Sequence, residues 1–219
     1  MTASTSSSAW AIAQARLKEI WGYSDFRPPQ DLVIQALLQR QDALIVMPTG
    51  GGKSLCFQLP ALMQQGVTLV VSPLVALMEN QVQELRDRQL PAATLHNGVP
   101  KSERYRVLTA LDRQQLRLLY LSPETLLSPP VWQRLCQPNL TINGLVLDEA
   151  HCLVQWGETF RPAYRRLGAA RQALQQGRAD GLQIPIAALP ATADPTAQKV
   201  IREVLKLPSP HAFCLCPYR

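Results

Sequence analysis

No stretch of this 219-residue sequence approaches about 18 uninterrupted apolar residues, so no transmembrane helix is expected. Metal-type cysteine spacing is also missing. The five cysteines (Cys56, Cys136, Cys152, Cys214 and Cys216) are odd in number, and the one close pair has a Cys-x-Cys spacing that matches no common zinc knuckle. They read as reduced thiols of a cytosolic protein. The three histidines, His96, His151 and His211, are too scattered for a metal cluster. No acidic residue precedes Glu19, but the Ser/Thr-rich leader lacks the apolar core of a secretory signal. Residues 1–8 are expected to be a disordered tail, the simpler reading than an organellar transit peptide. Internal repeats are absent.

What is present suits one domain. Hydrophobic residues make up 47% of the chain, enough for a single α/β core. The net charge of +6 is compatible with a polyanionic partner without requiring one. Arginine outnumbers lysine, which favours bidentate phosphate contacts.

Periodicity predicts helices over 9–20, from about 30 for some ten residues, and over 74–88, 101–111, 162–175 and 196–205. Short apolar runs predict strands at 43–46, 67–71, 92–95, 117–121, 142–147 and 184–189, with a closing strand at 213–216. This alternation implies an α/β fold with a mostly parallel central sheet flanked by helices on both faces. Ligands of such sheets sit at the carboxyl ends of strands. Residues 9–207 form the expected domain, and the Pro-rich 208–219 read as a linker with a closing strand.

At one such strand end lies Met47-Pro48-Thr49-Gly50-Gly51-Gly52-Lys53-Ser54. Three glycines let the backbone wrap an anion with its N–H groups, and the following helix adds its positive end. Lys53 would reach the β- and γ-phosphates of a nucleotide, and the Ser54 hydroxyl would ligate Mg²⁺. Met47 stands where the strict pattern has glycine. A plain strand–helix turn is the alternative.

A second strand runs straight into Asp148-Glu149-Ala150-His151. Two carboxylates at a strand tip repel and lose hydration unless a cation lies beside them. Asp148 would hold Mg²⁺ through water, and Glu149 would orient or deprotonate an attacking water. An acidic pair capping the next helix is the other reading.

These motifs resemble those of a superfamily 2 helicase, specifically the first RecA-like lobe of a RecQ-type DNA helicase, across residues 15–219. Asp148-Glu149-Ala150-His151-Cys152 continues through Gln155-Trp156-Gly157 to Phe160-Arg161-Pro162, similar to the family's motif II and aromatic loop. Tyr23, Phe26-Arg27-Pro28 and Gln30 resemble its adenine-reading motif, and Ser72-Pro73 to Met78 with Gln81 resembles motif Ia. Leu119 to Glu124 resembles motif Ib, and Ala188 to Ala193 motif III.

The resemblance implies a RecA-like three-layer fold, ATP and Mg²⁺ as cofactors, and 3′-to-5′ unwinding of single-stranded and forked DNA by a monomer in the cytoplasm, near the nucleoid. It implies that Tyr23, Arg27 and Gln30 bind the base and Thr49, Gly50, Gly51, Gly52, Lys53 and Ser54 the phosphates. Lys53, Asp148, Glu149 and His151 would be catalytic. Ser72, Pro73, Gln81, Gln155, Trp156, Phe160 and Arg161 would contact DNA or couple it to ATP.

Departures are specific. Pro190 replaces the hydroxyl residue that opens motif III, Thr125 an arginine of motif Ib, and Glu79 a lysine of motif Ia. In the family an arginine finger and a second RecA-like lobe lie beyond the position of Arg219. Arginine fingers supply about three to five orders of magnitude in rate. The chain alone is therefore expected to bind ATP weakly, hydrolyse it slowly and not unwind DNA. Alternatives are a nucleic-acid-binding module without catalysis, an RNA helicase lobe and a small-molecule kinase. The Gln-Trp-Gly and Phe-Arg-Pro segments disfavour the last two.

Overall fold

The structure, a computed structural model, describes residues 3–48, 50–155, 162–176, 178, 181–190, 194–207 and 211–214, without the side chains of 3–8, 154, 155, 162–165 and 211–214. Seven strands form one sheet: β1 (Ala43–Val46), β2 (Val67–Val71), β3 (Ala92–Leu95), β4 (Leu118–Leu121), β5 (Ile142–Asp148), β6 (Ile186–Leu189) and β7 (His211–Cys214). Their order is β3-β4-β2-β5-β6-β1-β7, and every pair is parallel. Each residue of β1, β2, β4 and β5 is buried, as a sheet covered on both faces requires.

The helices are α1 (Ala3–Trp21), α2 (Gln30–Leu38), α3 (Lys53–Met63), α4 (Val75–Asp87), α5 (Lys101–Asp112), α6 (Pro123–Leu126), α7 (Pro129–Leu135), α8 (Cys152–Gln155), α9 (Pro162–Gln176) and α10 (Pro195–Leu205). Right-handed crossovers decide their layer. The chain steps one way along the sheet through α3 and α4, then returns through α5 and the helices after it. The two cores follow that division. Ile45, Val70, Tyr120 and Val146 pack with Phe57 of α3 and Met78 of α4. Leu44, Leu69, Leu119 and Leu147 face Leu111 of α5, Leu167 of α9 and Ile201 of α10. Helix α1 adds an outer layer, with Ala13 and Leu17 on Ile34, Leu55 and Leu59.

Local chemistry sets several boundaries. Asp42, just before β1, accepts the Ile186 N–H at 2.8 Å and both Oδ atoms take Arg171 Nη1 of α9, at 2.7 and 2.8 Å. This clasp joins β1, β6 and α9 at the edge opposite the phosphate loop. Gly168 lets α9 approach the Val204 carbonyl, which a Cβ would strike. Asp194 caps α10 by accepting from Thr196 N at 3.0 Å, with Pro195 in the first turn.

The expected elements are present, with shifted ends. Helix α1 begins at Ala3 rather than Ala9, and the closing strand is His211–Cys214 rather than 213–216. Sequence reading placed nothing between 121 and 142, where α6 and α7 lie. Both open on Ser-Pro, and neither is long enough to show a helical period.

Candidate nucleotide site

The phosphate loop leaves β1 at the carboxyl edge of the sheet. Gly50 and Gly52 have φ of 80° and 76°, the left-handed region open to glycine, and Gly51 N–H donates to the Pro48 carbonyl at 3.1 Å. Gly52 is required twice over, because a Cβ there would collide with the Gln30 side-chain amide. Helix α3 then starts at Lys53 with no side-chain cap and no acidic residue in its first turn. Its N-terminal dipole and the half-buried Lys53 and Ser54 thus face the loop without a protein anion among them.

Gln30 closes this loop from the side. Its Nε2 donates to the Gly51 and Gly52 carbonyls at 3.2 and 3.4 Å, and its Oε1 accepts from Arg27 N–H at 2.9 Å. The buried amide therefore ties the segment expected to read adenine to the phosphate cradle. Tyr23 is 52% exposed, open for stacking, whereas Phe26 packs on Trp10 with ring centroids 4.9 Å apart. The Arg27 side chain is exposed.

Asp148 ends β5, and the intervening β6 sets its height against the loop. Asp148 pairs with Leu189 and Leu147 with Ala188, which in turn pairs with Leu44 of β1. The acid and the loop thus leave one edge of the sheet. Burial, followed by the neighbouring Glu149 charge, pushes the Asp148 carboxyl up to about 6. The Glu149 N–H, Lys53 and the Gln81 amide each pull in the opposite direction. Lys53 is therefore within electrostatic reach of Asp148.

Glu149 takes a left-handed φ of 51°, a conformation that non-glycine residues rarely adopt. The turn lets its N–H donate back to Asp148 Oδ1 at 3.1 Å, while Ala150 N–H continues to the Leu189 carbonyl at 3.1 Å. Glu149 Oε2 lies 3.1 Å from His151 Nδ1, both side chains about one-fifth exposed. His151 thereby holds the carboxylate expected to act on water.

Other expected residues are distributed differently. Ser72 and Pro73 are buried in the turn before α4, where Ser72 Oγ accepts from Leu74 N–H at 3.4 Å; Leu74 and Val75 are the exposed residues there. Gln81, half-buried on α4, accepts the Tyr120 hydroxyl at 3.0 Å. Thr49, Trp156, Phe160 and Arg161, with Ala191, Thr192 and Ala193, lie outside the described residues, as does the side chain of Gln155. Pro190 follows β6 and is buried. Sequence reasoning gave Gln58 no role and Tyr120 only a place in motif Ib, whereas the two are hydrogen-bonded in the core at 3.0 Å. The available signal was a polar residue in the apolar run Cys56-Phe57-Gln58-Leu59 and a phenol in the buried Leu-Leu-Tyr-Leu strand.

Among the described residues no three His, Cys, Asp or Glu side chains gather to hold a metal unaided. The donor set fits an ion that arrives on phosphates. Ser54 in the first turn of α3 and Asp148 at the tip of β5 would supply hard oxygen ligands, the donor type that Mg²⁺ takes.

A DEAD/DEAH box helicase profile matches residues 27–200. The chain belongs to the DEAD/DEAH box helicase family. Among relatives of this helicase domain, the ATP-dependent DNA helicase RecQ of Synechocystis sp. is 62% identical over 93% of the chain and 42% of its own length. RecQ of Haemophilus influenzae is 41% identical over 90% of the chain and 30% of its length. The RecQ-type resemblance carried by the motifs is borne out by these relatives, and the chain spans less than half the length of either. In fold, the domain superposes on the DNA-bound DUF1998 helicase MrfA with a TM-score of 0.73 at 18% identity, covering 92% of this chain and 29% of the other. It also superposes on a hypothetical ATP-dependent RNA helicase from Sulfolobus tokodaii with a TM-score of 0.64 at 18% identity, covering 94% and 56%. The expected α/β RecA-like arrangement, a parallel sheet between two helical layers, is borne out.

Proposed function

We propose that this helicase domain is the ATP-binding lobe of a RecQ-type DNA helicase, which with a second lobe translocates 3′ to 5′ on single-stranded DNA and unwinds forked duplexes. The observation that carries the reading is the shared carboxyl edge of β1 and β5, one strand apart across β6, where the glycine loop gripped by Gln30 and the Asp148 carboxylate both leave the sheet. Tyr23 and Arg27 flank the base, while Lys53 and the loop N–H groups bind the phosphates. Ser54 and Asp148 would hold Mg²⁺, which when bound would supply positive charge against the nucleotide phosphates. Glu149, kept in place by His151, orients water and takes its proton.

The DNA side rests on the relatives and on Gln155, Trp156, Phe160 and Arg161, whose residue types suit stacking on exposed bases. The reading implies a monomer acting on cytoplasmic, nucleoid-associated DNA. The test is ATP hydrolysis by the domain joined to a second RecA-like lobe, with and without single-stranded DNA. Stimulation by DNA that is lost in Lys53→Ala supports the reading. Hydrolysis that stays at background, or that responds to RNA alone, overturns it.

A further inference from the structure

Helix α1 carries Trp10, Ala13 and Leu17 on one face, at the spacing of successive turns. Ala13 and Leu17 are fully buried against Ile34 of α2 and against Leu55 and Leu59 of α3, the helix that opens on Lys53. Trp10, half-buried one turn earlier, meets Phe26 instead. The two ring centroids are 4.9 Å apart and the planes are tilted by 38°.

The setting of Phe26 gives this contact its weight. Residues Gly22 to Pro28 join α1 to α2 without helix or strand, and every one of them except Phe26 is exposed. The same stretch includes Tyr23 and Arg27, the side chains that flank the base in the nucleotide reading. Hydrogen bonds secure its end next to α2. Arg27 N–H donates to Gln30 Oε1 at 2.9 Å, and the Arg27 carbonyl accepts the Gln30 N–H at 2.7 Å. Gln30 in turn lies on the carbonyls of Gly51 and Gly52. The Phe26 ring secures the exposed stretch before that point. Two rings prefer a small set of mutual arrangements, so the contact with Trp10 fixes direction as well as closeness.

We propose that Trp10 is a positioning residue for the base of the nucleotide. It holds Phe26, and through Phe26 it sets the loop so that Tyr23 stacks on the base and Arg27 lies beside it. A leucine in place of either ring would fill space without fixing direction. The inference rests on the nucleotide reading above and extends that site to α1.

The experiment measures the affinity of this chain for a ribose-labelled fluorescent ATP analogue, and for tripolyphosphate, which has no base, by competition. Wild type is compared with Trp10→Leu, Trp10→Phe, Phe26→Leu and the Trp10→Leu/Phe26→Leu pair. Trp10→Leu is expected to weaken the analogue about 3- to 10-fold, the range an aromatic pair is worth, and to leave tripolyphosphate unchanged. Trp10→Phe keeps a ring against Phe26 and should bind the analogue nearly as wild type does. The pair should lose no more than Phe26→Leu alone, since Trp10 acts through Phe26. Phe26→Leu also reads the same loop with α1 intact, should Trp10→Leu lower the melting temperature. Equal losses for both ligands, an unchanged Trp10→Leu, a Trp10→Phe as weak as Trp10→Leu, or additive losses in the pair overturn the proposal. A wild type that binds the analogue no more tightly than tripolyphosphate sinks the nucleotide reading, and the role of Trp10 with it.

Discussion

The side-chain amide of Gln30 lies on the carbonyls of Gly51 and Gly52, at 3.2 and 3.4 Å, in the space that a side chain at position 52 would need. A residue on α2 and a glycine at the mouth of α3 therefore define one another. The conformation of the phosphate loop depends on a partner some twenty residues upstream.

Gly52→Ala follows from that contact. The substitution forces a Cβ into a left-handed backbone and against Gln30, costing on the order of 1–2 kcal/mol before any repacking. A lowered melting temperature and loss of ATP-analogue binding are expected, read by thermal denaturation and fluorescence titration. An unchanged affinity would mean that the Gln30–loop contact has no part in shaping the cradle.

Acid dependence follows from Asp148. Its carboxyl is raised from the ordinary 3.8 to about 6, so between those values the folded chain holds more protons than the unfolded one. Stability is therefore greater below pH 4 as far as this group is concerned, and falls as pH rises to 6. The loss is on the order of 3 kcal/mol. Asp148→Asn should remove it, giving a higher urea midpoint than wild type at pH 7 and a flatter profile between pH 4 and 6. The same variant should lose Mg²⁺-dependent nucleotide binding, a trade of stability for function.

His151→Ala tests the hold on Glu149. Without its partner 3.1 Å away, Glu149 is free to leave the orientation in which it would act on water. Hydrolysis is expected to fall about 10- to 100-fold with nucleotide affinity unchanged, since general-base effects reside in turnover. Single-turnover and binding measurements on the two-lobed protein separate the two.

Asp42→Ala probes the far edge of the sheet. It strands the half-buried Arg171 and leaves the Ile186 N–H without its acceptor. Breaking such a pair from one side costs about 3–5 kcal/mol. Urea denaturation should show that loss. ATP-analogue affinity measured where the variant remains folded should not change, because the clasp lies at the opposite end of β1.

Much of the site was legible in the order of residues. Lys53, Asp148 and Glu149 announce themselves because charged groups directly after apolar strands have few structural uses. Nothing in the sequence signalled the Gln81 contact with Tyr120, because the two lie 39 positions apart on α4 and β4. Helices α6 and α7 were invisible because a turn or two of helix opened by proline carries no period to detect.

The sequence by itself determined which segments become strands and helices, and which strand ends carry glycines or acids, because these depend on neighbours along the chain. Only the tertiary structure decided that β6 stands between the loop strand and the acid strand, that Gln30 braces the loop, and that Gln58, Tyr120 and Gln81 join α3, β4 and α4. Those contacts join residues tens of positions apart. Strand order and crossover handedness bring them together, and no local pattern records either.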